Sequence, residues 1–184
     1  MAIKLNTLGI VSAVLVLVGL ILALVGVLTP VLFNSKMDFS IKLSETDGWE
    51  VFDEFAKLTD KSTAARPLTI VAFVVTLVSA AAALANSVLA ILGKNIKPLG
   101  VASGAVMIVG GILVLGFGLW LAIAYSDILG WTGEYSLLPS TGIYLGFVGG
   151  MLGGISSVVI TKKIAKKAKS QPEVKPETQP EAQA

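Results

Sequence analysis

Cysteine and histidine are both absent from this chain. Their absence excludes disulfides, thiolate chemistry, zinc or haem held through imidazole, and every nucleophilic mechanism that depends on a histidine base. Charge is scarce as well: 14% of the 184 residues are charged, against roughly 25% in an ordinary soluble domain. The few charges sit in short segments, and the tracts between them contain no Asp, Glu, Lys or Arg. Ion pathways and proton relays usually need ionisable groups within the membrane, so a pump or proton-coupled transporter is not expected. No Walker, dinucleotide or metal-ligand spacing occurs. The acidic pairs Asp53/Glu54 and Asp127/Glu134 fit solvated loops better than an acid/base pair. The chain therefore reads as non-enzymatic, with no cofactor and no nucleic-acid partner expected.

What is present is apolar sequence, 54% of the chain. Four uncharged tracts, 8–33, 67–92, 99–125 and about 142–161, each reach the roughly 20 residues that a helix needs to cross a ~30 Å hydrocarbon core. A cleaved signal peptide is the rival reading of the first tract. That tract far exceeds an h-region of roughly 7–15 residues, and no A-x-A pattern follows it. The fold expected is an all-α membrane protein: a four-transmembrane-helix bundle over residues 1–161 with loops 34–66 and 126–141, followed by a segment 162–184 outside it.

With four spans, both termini and the tight turn 93–98 share one side. That side carries nine lysines, Lys4, Lys94, Lys97, Lys162, Lys163, Lys166, Lys167, Lys169 and Lys175, against Lys36, Lys42, Lys57, Lys61 and Arg66 in the two longer loops. The positive-inside rule then predicts a multi-pass protein of the cell membrane with both termini cytoplasmic and the longer loops outside.

The long loop is patterned. Met37, Phe39, Ile41 and Leu43 alternate with polar residues, which predicts a half-buried strand. After Asp47-Gly48, the spacing of Trp49, Phe52, Phe55 and Ala56 predicts a short amphipathic helix. Trp131, Tyr135 and Leu137-Leu138 in the second loop could add strands to the same small extracellular cap. The aromatics have two uses: packing the loop onto the bundle or the lipid interface, or meeting a partner. Trp49, Phe52, Phe55, Trp131 and Tyr135 are accordingly the candidate extracellular contacts.

Beyond the fourth tract, Lys162, Lys163, Lys166, Lys167 and Lys169 are either a topology anchor or candidates for anionic lipid headgroups, at about 1 kcal/mol per lysine. The repeat Gln-Pro-Glu-Val, Lys-Pro-Glu-Thr, Gln-Pro-Glu-Ala that follows predicts a disordered cytoplasmic tail.

Lipid supplies no hydrophobic force between helices, so close packing depends on small residues. Twelve of the nineteen glycines fall in the third and fourth tracts. Gly142, Gly146, Gly150 and Gly154 recur every four residues, with Gly149 and Gly153 beside them, while Gly104 and Gly111 offer a counterpart in the third tract. Their use is either inside the bundle or between protomers. Ser79, Ala83 and Ser87 make a small stripe in the second tract, where Asn86 is expected to hydrogen-bond across helices for about 0.6–2 kcal/mol.

Four spans, cytoplasmic termini and a first outer loop longer than the second resemble the claudin and peripheral-myelin-protein superfamily; tetraspanins have the opposite loop order. Pro30 is similar to the proline that closes the first claudin helix, and Ala64-Ala65-Arg66-Pro67-Leu68 resembles the entry into the second. Gly104, Gly110-Gly111-Ile112-Leu113 and Trp120 resemble the third helix, and Tyr144-Leu145-Gly146-Phe147 the start of the fourth. The claudin first-loop cysteine pair and glycine-leucine-tryptophan triplet have no counterpart there; Gly118-Leu119-Trp120 lies in the third tract instead. The resemblance implies the fold and a role in membrane organisation or cell-surface contact. The partners implied are the bilayer, a second copy or another membrane protein. The alternative is an accessory subunit of a membrane complex or a small-solute pore, which would need a polar, water-lined stripe.

Overall fold

A computed structural model describes residues 6–36, 38–45, 47–59, 62–130, 132–133 and 136–169. Trp131, Tyr135, Met37 and the repeat from Gln171 onward lie outside the described residues. The elements in chain order are α1 (Thr7–Leu28), β1 (Pro30–Asn34), β2 (Phe39–Lys42), α2 (Asp47–Thr59), α3 (Ala65–Ile91), α4 (Lys97–Leu129), β3 (Leu138–Pro139) and α5 (Thr141–Lys169). Four of them, α1, α3, α4 and α5, are long and apolar enough to cross a membrane. The protein is thus a multi-pass, four-helix membrane bundle with a small cap. Around the bundle the order is α1, α3, α4, α5, each helix packing on the next and α5 returning to α1.

The apolar tracts and the helices do not end together, and each difference has a local cause. The tract expected to be helical to Phe33 leaves the helix at Leu28. Thr29 precedes a proline and is extended, at φ −96° and ψ 161°, and Pro30 has no N–H to continue the ladder. The apolar residues that follow form β1 instead, with Val31 and Leu32 fully buried in the cap. The third helix exceeds its tract at both ends. Pro98 sits in its first turn, where a missing N–H is harmless, and Gly130 stops it in the left-handed conformation at φ 67°. The fourth runs from Thr141 to Lys169, so the basic segment after Thr161 is a continuation of α5.

Length places the cap. Gly26 of α1 and Gly142 of α5 face each other near the cap end of the bundle, and Gly118 of α4 lies against Ile143 at the same level. From Gly118, α4 runs on to Leu129, about 16 Å further at a rise of about 1.5 Å per residue. That projection is the post on which the cap is built. β1 lies between β2 and β3, antiparallel to both, with Leu32 opposite Ile41 on one side and Pro139 on the other. The strand expected in the first loop and the added strand from the second are both present. Val31, Leu32, Ile41, Leu43, Trp49, Phe52 and Ala56 of the cap share one core with Leu121, Ala122, Tyr125 and Ile128 of α4.

Candidate functional site

Asp47–Thr59 is the amphipathic helix that its spacing predicts, and its inward stripe is Trp49, Phe52 and Ala56, at 0%, 3% and 2% exposure. Trp49 donates its Nε1 proton to the carbonyl of Lys42 at 2.8 Å, tying α2 to the end of β2. Its ring meets Tyr125 edge-on at 5.4 Å and Phe52 at 5.8 Å, and Phe52 meets Tyr125 at 5.1 Å. Such geometry aligns ring edges with ring faces and adds to the area buried. The Arg66 guanidinium lies 4.6 Å over the Trp49 ring and reaches Asp53 at 3.6 Å. Two residues at the mouth of the bundle, Tyr125 and Arg66, thereby hold the cap helix. Neither is among the candidate contacts that the sequence offers. Arg66 is a lone cation at a helix start, and Tyr125 is the last residue of an apolar tract.

Of the two uses open to these aromatics, Trp49 and Phe52 take the packing one, which removes them from the candidate extracellular contacts. Both are consumed by the latch between cap and bundle. Phe55, the third member of that set, is 45% exposed, and Val51 and Leu58 beside it are 53% and 83% exposed. The outward surface of α2 is therefore Val51, Phe55 and Leu58 with Glu50, Glu54 and Lys57 among them.

In α5 the regularly spaced glycines all face the interior of the bundle, but against three different helices. A side chain at Gly142 would meet the Gly26 carbonyl of α1 at 2.5 Å, one at Gly146 would strike the Phe73 ring of α3, and one at Gly154 would meet the Gly104 carbonyl of α4 at 2.6 Å. Gly150 faces Gly111, whose Cα would lie 2.7 Å from a side chain's Cβ at that position. Gly149 turns back to α1, where a Cβ would meet the Gly19 carbonyl at 2.5 Å. The regular glycine spacing thus serves several neighbours, because α5 contacts α1, α4 and α3.

At the opposite end Asn86, 1% exposed, makes the cross-helix bonds expected of it. It donates to Asn95 Oδ1 at 3.1 Å and to Thr161 Oγ1 at 3.5 Å, and its Oδ1 accepts the Ile96 N–H at 3.0 Å. Ser157 donates to the Gly100 carbonyl at 2.8 Å, and Gly100 itself is packed against Asn86 and Thr161. One buried amide thus closes the α3–α4 turn and joins it to α5. Asn86→Ala should lower stability by about 0.6–2 kcal/mol, because it removes a buried amide that bonds across helices and leaves the half-buried Asn95 Oδ1 and the Ile96 N–H without it. A thermal melt in detergent measures this, and Ser103→Ala, whose hydroxyl only returns to Leu99 of its own helix at 2.6 Å, serves as the control.

Lys162, Lys163, Lys166 and Lys167 are exposed on the continuation of α5, while Ile160 and Ile164 of the same turns are buried with Ala90 against Leu8 and Leu15. Among the described residues, no group of three acidic side chains gathers as a metal site. Thr69, Thr76 and Ser87 on the inner face of α3 each donate to a carbonyl one turn back in their own helix, at 2.8, 2.8 and 2.9 Å. Ser87 also meets Ser12 of α1 at 2.8 Å. Comparison of the chain with protein-family models, curated proteins and solved structures gives no match.

Proposed function

We propose that this is a non-enzymatic, claudin-like protein of the cell membrane, with both termini cytoplasmic, that organises membranes or makes cell-surface contacts through its extracellular cap. The observation that carries the reading is the cap itself. Its chain is folded onto the projecting end of α4 through Trp49, Phe52 and Tyr125, and so presents a fixed outward surface. A mere linker between two helices would need no such core. The lysine excess at the other end supports the orientation. A small-solute pore has less support, because the buried hydroxyls of Thr69, Thr76 and Ser87 on α3 are spent on carbonyls of their own helix and, for Ser87, also on Ser12 of α1.

Two measurements test this. A photo-crosslinking residue at Leu58, which is 83% exposed, should capture another protein or a second copy in native membranes, read by mass spectrometry; capture of lipid alone would overturn the contact role. Because the chain has no competing thiol, Ser62→Cys should label on intact cells with an impermeant reagent and Lys94→Cys should not. The reverse pattern would overturn the orientation.

A further inference from the structure

Among the described residues, the end of the bundle away from the cap carries charge of one sign. The α3–α4 turn and the continuation of α5 bring Lys94, Lys97, Lys162, Lys163, Lys166 and Lys167 to that end, and neither segment contains an acidic residue among the described residues. Lys94, Lys97, Lys162, Lys163 and Lys166 are all exposed and make no ion pair within the described residues.

These lysines do not sit on loose ends. Asn95, between Lys94 and Lys97, accepts from Asn86 and donates its amide to the carbonyl of Thr161 at 3.5 Å, the residue immediately before Lys162. Two separate basic segments are thereby fastened side by side through a half-buried asparagine. The α5 segment is held in turn by Ile160 and Ile164, at 8% and 9% exposure. With both backbones fixed, a ligand at this place would have to order only lysine side chains, which keeps the entropy loss on binding small.

The same turn also exposes apolar side chains. Leu92, Ile96 and Leu99 are 54%, 47% and 37% exposed and alternate with Lys94 and Lys97. Lysine stems lie along apolar surface while their ammonium groups reach for charge, so this band has the polarity of the boundary between acyl chains and headgroups. The geometry points to a binding site for the phosphate of an anionic lipid headgroup, with Lys94 and Lys97 from the turn and Lys162 from α5 as its ligands and the acyl chain against Ile96 and Leu99. This site is independent of the contact role assigned to the cap and rests only on the bundle.

The full chain in detergent, titrated with phosphatidylglycerol or phosphatidylcholine and read by native mass spectrometry, tests it. Phosphatidylglycerol should bind preferentially, and the K94Q/K97Q/K162Q variant should lose roughly 100-fold in affinity for it, with three lysines removed. The K94R/K97R/K162R variant should retain binding, and K36Q/K42Q/K57Q at the cap should leave it unchanged. Lys163, Lys166, Lys167 and Lys169 remain in the glutamine variant, which keeps the charge bias that sets its insertion. Equal binding of the two lipids, full binding by the glutamine variant, or an equal loss in the cap variant would overturn the proposal. Inorganic pyrophosphate separates the two sources of phosphate. If it fails to displace the lipid at millimolar concentration, the site belongs to the headgroup. If it binds as tightly as phosphatidylglycerol, the ligand is soluble phosphate and the lipid assignment falls.

Discussion

Gly150→Leu should abolish most of the recoverable folded protein. A Cβ at that position would stand 2.7 Å from the Cα of Gly111 and 2.9 Å from the carbonyl of Met107. Both obstacles are backbone atoms of α4, so no rotamer change can relieve the overlap, and the two helices would have to move apart. Separation would then open the neighbouring approach of Gly154 to Gly104. Overpacking a tight core costs about 1–3 kcal/mol and occasionally more; a leucine against backbone belongs at the upper end of that range. In lipid nothing compensates, since packing itself is what holds the helices together. Gly116→Leu is the matched control, because a side chain there meets nothing within 4 Å. Val148→Leu, at an exposed site on α5 itself, should also be tolerated. Monodisperse yield from size-exclusion chromatography, followed by a melt of whatever is recovered, distinguishes them. Equal behaviour of Gly150→Leu and Gly116→Leu would mean that α4 and α5 do not approach as described.

Trp49→Ala should unfold the cap and leave the bundle standing. The substitution removes a fully buried ring, its 2.8 Å bond to the Lys42 carbonyl, the edge contact with Tyr125 and the surface on which Arg66 rests. Truncation of a buried aromatic to alanine typically costs about 3–5 kcal/mol. The loss falls on the cap and its seat on the end of α4, while the glycine contacts between the spans stay as they are, so helicity by far-ultraviolet circular dichroism should change little. Protease cleavage within residues 34–66 should rise sharply instead. Phe55→Ala, at an exposed position on the same helix, should leave protease resistance as it was. Unchanged resistance in Trp49→Ala would show that the cap is held by something other than this ring.

The comparison of Trp49 with Phe55 shows where pattern stops being sufficient. Two apolar stripes run along α2: positions 49, 52 and 56, and positions 51, 55 and 58. Both have helical spacing, and either could face inward. Tyr125 and Arg66 stand opposite the first stripe only, and no local signal in residues 47–59 points to partners so far away in the chain. Lys162 to Lys167 show a related limit. A hydropathy window stops at the first charge, although Ile160 and Ile164 continue the inward period of α5, and it is that period the helix follows.

Some properties were decided by the amino-acid sequence alone, because they depend on transfer from water to lipid and on local backbone chemistry. The four spans, the absence of ionisable groups from their middles, the helix stop at Thr29-Pro30 and the presence of an amphipathic cap helix are of this kind. Tertiary structure decided the rest. Which strands Val31 and Leu32 pair with beyond Pro30, which stripe of α2 is buried, and which of three helices each glycine of α5 meets are set by residues distant in sequence. The physical reason is the same in each case. Burial of an apolar side chain in water or approach of a glycine in lipid is favourable against any surface of the right shape, so composition creates the demand and only the assembled neighbours determine how it is met.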